Sequence, residues 1–158
     1  MISRIPASVQ VLRTLNAAGV RASASSLRVS QLHSSPPSRF TVVSYAELKP
    51  LTQQPTLDRI LIDVREVNEV QQGSIPSAVN LPLSVLPQAM EQHPDAFRNQ
   101  HGFQRPEKGQ EVILYCRSGA RSTTAAEHLE KIGYKNVKNY TGSWLDWTAK
   151  EQGTKNAT

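Results

Sequence analysis

"VILYCRSGARSTTAAEHL" occupies residues 112–129 and decides how the chain is read. A dense apolar run leads to Cys116, the only cysteine, and two arginines and a glycine follow within five positions. An apolar run without alternation is a strand buried on both faces, as in a parallel sheet. After it, Ala125, Ala126, Leu129 and Ile132 recur at helical spacing, with Lys131 in the last turn and Gly133 as terminator. The stretch is therefore a strand, a tight loop and a helix. A lone cysteine behind such a strand is more often core than catalyst. Its neighbours reverse that expectation.

The loop Cys116-Arg117-Ser118-Gly119-Ala120-Arg121 runs straight into a helix, so its N–H groups can turn inward as an anion nest beneath the sulfur. The helix N-terminus adds positive potential and the two guanidiniums add full charges. Such surroundings lower a thiol pKa from about 8.5 to roughly 3.5–7.5. Cys116 is the candidate nucleophile. Gly119 supplies the freedom of backbone that a tight loop around an anion requires. Arg121 is preferred to Arg117 as the anion ligand, because an arginine fork matches a dianionic substrate. Ser118 and Ser122 are candidate hydrogen-bond donors, and Ser122 can alternatively cap the helix.

Working outward, "DRILIDVR" (58–65) reads as a second central strand, "FTVV" (40–43) and "KNVKNY" (135–140) as shorter ones. Ser44 and Glu47 form a capping-box pattern that opens a helix expected to stop at Pro50. "SWLDW" (143–147) gives another helical turn. A long connection, 83–110, carries helical pieces near 85–92 and 95–100 and is expected to wall part of the site. Strands alternating with helices argue for an open α/β sheet with its site at the carboxyl ends of the strands.

The net charge of +5 does not mark a nucleic-acid binder. Residues 1–39 hold five arginines and no acid, and the remaining 13 Lys+Arg are matched by 13 Asp+Glu. The first 38 residues are Ser- and Arg-rich, with Ile5, Val9 and Leu12 on one side of a possible helix, and end in "SSPPS". These are features of a mitochondrial transit peptide and linker, disordered or removed; a disordered basic tail has a similar composition. The domain is expected over 39–152, with a flexible tail over 153–158. No stretch is apolar and long enough for a membrane span. One cysteine excludes an internal disulfide and suits a reducing compartment such as the mitochondrial matrix. His33, His93, His101 and His128 lack ligand spacing with Cys116, so no metal is expected.

"CRSGARS" (116–122) resembles the active loop of single-domain rhodaneses, and "LIDVRE" (61–66), "EVQQGSIPSAVNLP" (69–82) and "YTGSWLDW" (140–147) are similar to that family's other landmarks, in its order. The likeness runs from about Phe40 to Gln152, and the long connection resembles a mitochondrial branch. Where the family often has Gly-His-Ile-Pro-Gly-Ala, this chain has Gly73-Ser74-Ile75-Pro76-Ser77-Ala78. The resemblance implies a single α/β domain, a five-stranded parallel sheet flanked by helices on both faces. It also implies a thiosulfate sulfurtransferase without metal or organic cofactor. Cys116 would take sulfur from a small-molecule donor, hold it as a persulfide on the amides of 117–121, and pass it to cyanide, glutathione or a protein thiol. Asp63, Arg65 and Glu69 would support the loop or touch substrate. A non-catalytic persulfide carrier is the alternative. The cell-division-cycle phosphatases that share this fold have five residues between cysteine and arginine, against four here, and a shorter loop suits sulfur better than a phosphoryl group.

Overall fold

The computed structural model describes residues 40–155. The transit-peptide reading and the last three residues of the expected tail lie outside them. Five strands, β1 (Thr41–Val42), β2 (Arg59–Asp63), β3 (Val79–Asn80), β4 (Glu111–Tyr115) and β5 (Val137–Asn139), form one sheet in the order β1-β5-β4-β2-β3. Every pairing is parallel. The central pair is in the register Leu61–Ile113, Ile62–Leu114 and Asp63–Tyr115.

Period-two alternation along the central strands divides the core into two layers. Ile62, Val64, Val112, Leu114 and Cys116 face one side, where α3 (Leu86–Glu91), α4 (Pro94–His101) and α5 (Ala120–Lys131) cover them with Leu86, Phe97, Ala126 and Leu129. Leu61, Ile113 and Tyr115 face the other, beneath α1 (Tyr45–Gln53) and α6 (Ser143–Lys155), which contribute Leu48 and Trp147. Each fully buried Leu, Ile or Phe is worth about 1.5–3 kcal/mol, so the double covering explains why these strands show no polar alternation. Cys116 is in phase with Val112 and Leu114, one residue beyond the end of β4.

Several boundaries differ from the sequence reading. Helix α1 passes through Pro50 to Gln53. Its first turn is locked by the capping box, Ser44 N–H donating to Glu47 Oε2 at 2.8 Å, and its second is anchored by buried Leu48 and Thr52. That anchoring outweighs the one backbone bond a proline removes. Helix α6 continues through Lys155, past the expected domain end at 152. The two-residue β3 and the single turn α2 (Val67–Val70) are too short to carry a period. Ser77, in place of the family's glycine, has φ 64°, so a non-glycine occupies the left-handed turn position. Residues 104–110 of the long connection do not wall the site. They line a pocket of about 830 Å³ with Asp58, Arg59 and Tyr134 at the amino ends of β2 and β4, opposite Cys116.

Candidate active site

The site is built where β4 ends and α5 begins. Gly119 is the N-cap of α5, with φ 96°, which turns its own N–H back to the Cys116 sulfur at 3.1 Å. Helix α5 therefore starts at Ala120, and Ser122 lies within its first turn, not at its cap. Ser122 is fully buried, and its hydroxyl donates to the Gly119 carbonyl at 3.0 Å. Arg117, Ser118 and Ala120 are exposed, whereas Cys116 is buried.

Two opposed effects set the thiol's acidity. Burial pushes its pKa up, but the Ser122 N–H and hydroxyl and the N–H groups of Gly119 and Ser118 pull it down more, leaving it below the ordinary thiol value. Of these groups the Gly119 N–H makes the hydrogen bond to the sulfur, and those of Ser122 and Ser118 favour the thiolate from nearby.

Helix α6 holds the other side of the loop. Its N–H groups at Trp144 and Leu145 donate to the carbonyls of Cys116 and Arg117 at 3.0 and 3.1 Å. Ser143, buried and left-handed at φ 57°, accepts the Cys116 N–H at 3.1 Å, donates to the Tyr140 carbonyl at 2.8 Å and stands 3.9 Å from the sulfur. The carbonyls on this side are occupied, so the amides are left for the sulfur. Ser143 and Trp144 were not among the sequence candidates. "YTGSWLDW" marked the segment, but only a backbone carried over the loop reveals these roles.

Space around Gly119 is already filled. A Cβ there would overlap the Thr141 carbonyl oxygen, and φ 96° disfavours any side chain. Gly119→Ala is expected to cost about 2–3 kcal/mol and to pull the N–H off the sulfur. Urea unfolding and the reactivity of Cys116 toward iodoacetamide check it; a variant with wild-type stability and reactivity contradicts this geometry.

The remaining candidates fall into two pairs. Asp63 and Arg65 are each 1% exposed and form a forked pair, Arg65 Nη2 to Asp63 Oδ2 at 2.6 Å and Nε to Oδ1 at 3.0 Å. Arg65 also donates to the Gly73 carbonyl at 2.7 Å and lies over the Trp144 ring, 4.8 Å from its centroid. This places the pair beneath the site as a brace between β2, the Gly73 turn and α6. Glu69, from α2, meets Arg121 in a second fork at 2.5 and 2.7 Å. The Arg121 guanidinium holds the Glu69 carboxyl down to about pKa 2, and Glu69 raises Arg121. Arg121, preferred from the sequence as anion ligand, is therefore already engaged. Arg117 makes no side-chain hydrogen bond or ion pair among the described residues.

A rhodanese-like domain model matches residues 44–150, spanning every element that builds the site. The chain belongs to the rhodanese-like family. A Schizosaccharomyces pombe protein provisionally named a mitochondrial thiosulfate sulfurtransferase is 44% identical over 112 residues, 70% of this chain and 79% of that one. The human thiosulfate:glutathione sulfurtransferase is 33% identical over 58% of this rhodanese and 80% of its own length. Among solved structures, the Saccharomyces cerevisiae single-domain sulfurtransferase RDL2 superposes with a TM-score of 0.66 at 31% identity, covering 70% of this chain and 90% of that one.

Proposed function

We propose that this rhodanese is a thiosulfate sulfurtransferase whose nucleophile is Cys116. The observation that carries the reading is a buried thiol at the end of β4 that accepts the Gly119 N–H at 3.1 Å, in a loop with four residues between Cys116 and Arg121. In the first half-reaction the Cys116 thiolate attacks the outer sulfur of thiosulfate. A sulfur–sulfur bond forms at Cys116, the one in thiosulfate breaks, and sulfite leaves with its electron pair. In the second, an acceptor thiolate or cyanide attacks the outer sulfur of the persulfide and restores the Cys116 thiolate. The amides at 118, 119 and 122 hold the negative charge in both resting and persulfide forms. Asp63 and Arg65 act by fixing the platform, without touching substrate.

The names of the relatives support thiosulfate as donor and glutathione as an acceptor; cyanide or a protein thiol is a further acceptor in this proposal. The name of the Schizosaccharomyces pombe relative also supports a mitochondrial location; in this proposal the arginine-rich first 38 residues direct the protein there, and the single cysteine suits the matrix as destination. No helix among the described residues is long and apolar enough to cross a membrane.

Incubating the protein with thiosulfate and measuring intact mass tests the first half-reaction. One added sulfur atom, on the peptide containing Cys116, is expected, and its removal by glutathione or cyanide completes the cycle. An unchanged mass overturns the reading. Persulfidation only by a partner protein would favour the carrier role instead.

A further inference from the structure

Four formal charges of the site region are already paired off. Arg65 is closed by Asp63 beneath the loop, and Arg121 is closed by Glu69 beside it. Both partners of the second pair keep some contact with solvent, their side chains being 33% and 26% exposed, so the pair sits at the rim and not in the core. Arg121 is the second residue of α5, directly after the Cys116 loop, so the fork brings the Glu69 charge to the segment that carries the reacting sulfur. Glu69 Oε2 additionally accepts the Glu66 N–H at 3.1 Å, which fixes the carboxylate in the short α2 turn and limits its retreat.

An anion approaching Cys116 must compete with a forked carboxylate for Arg121, or use the exposed Arg117. We infer that Glu69 is a specificity-determining residue, which withholds Arg121 from anionic donors and leaves Arg117 to receive them. The consequence concerns substrate class. A dianion such as thiosulfate meets a rim whose positive charge is largely neutralised. A sulfur donor of low charge, such as a persulfide borne on a small thiol, loses little by the same arrangement. The inference rests on the sulfur-transfer reading for its substrate, but its test does not depend on turnover.

Iodoacetate and iodoacetamide alkylate the same sulfur and differ by one negative charge. The ratio of their rate constants on Cys116 therefore reports how the rim treats anions, separately from thiol acidity, which moves both rates together. In Glu69→Gln the iodoacetate-to-iodoacetamide ratio is expected to rise roughly threefold to tenfold at low ionic strength, and the gain to shrink as salt screens it. The half-saturating thiosulfate concentration for persulfide formation is expected to fall by a similar factor. Arg117→Ala is expected to lower the ratio. Arg121→Gln, which leaves the Glu69 carboxylate uncompensated, is expected to lower it too, and carries the test should Glu69→Gln not fold. A ratio unchanged in Glu69→Gln, or in its absence unchanged in Arg121→Gln, overturns the inference and leaves the pair a structural tie. Failure of the wild-type protein to accept sulfur from thiosulfate overturns the proposed function, while the alkylation ratio still decides Glu69.

Discussion

Cys116→Ser is expected to abolish sulfur transfer, lowering the rate from thiosulfate by at least about 10³-fold, the scale on which loss of a nucleophile acts. The substitution removes one polarisable atom and leaves the loop, so the effect falls on the chemistry. A serine hydroxyl does not ionise near neutrality, and the amides at 118, 119 and 122 then face no anion. No second thiol exists in the chain to take over, so persulfide sulfur detected on the variant by mass spectrometry would contradict the assignment. The pH dependence of the wild-type protein follows from the direction of the thiol's shift. Thiolate is lost as pH falls through the thiol pKa, and that pKa is depressed. Alkylation by iodoacetamide should therefore persist at pH values where an ordinary cysteine has largely stopped reacting. A profile centred at or above the ordinary thiol value would contradict the balance of forces described at the loop.

Asp63→Ala is expected to have the largest effect on stability, about 3–5 kcal/mol, because it strands the Arg65 guanidinium in the interior. Burial by itself disfavours that cation, and Asp63 more than offsets the penalty. With the carboxylate gone, Arg65 retains the Gly73 carbonyl and the Trp144 ring, neither of which carries a compensating charge. Urea unfolding followed by tryptophan fluorescence measures the loss. Since Trp144 lies against Arg65 and its backbone N–H holds the Cys116 carbonyl, activity should fall along with stability. A loss below about 1 kcal/mol would mean that the pair is not the brace its geometry describes.

Much of the site was legible because its parts are adjacent in sequence. A strand, four loop residues and a helix suffice to aim amides at Cys116, and hydrophobic period and glycine chemistry carry that information locally. Arg65 shows where such reading stops. A charge at the end of a strand, near a candidate site, resembles a pocket residue, and only the arrival of Trp144 from residue 144 and the Gly73 turn shows that it is enclosed. The ion pair of Arg121 is invisible for the same reason, its partner Glu69 being 52 residues away. Ser143 was missed because a left-handed serine leaves no trace in pattern or composition; its conformation is imposed by the hydrogen bonds it completes. Pro50 was overvalued as a terminator because the anchoring of Leu48 and Thr52 is tertiary.

The hydrogen bonds from the start of α6 to the Cys116 and Arg117 carbonyls make the reactive hexapeptide a composite of two distant stretches of chain. Peptide units have two sides, and the loop can present its donors to sulfur because another part of the molecule has claimed its acceptors. Transplanting "CRSGAR" alone onto a foreign strand–helix junction would carry over the thiol and leave its acidity behind. The portable unit runs from β4 to the first turn of α6, about thirty-five residues joined by the hydrogen bonds from Trp144 and Leu145 to the loop.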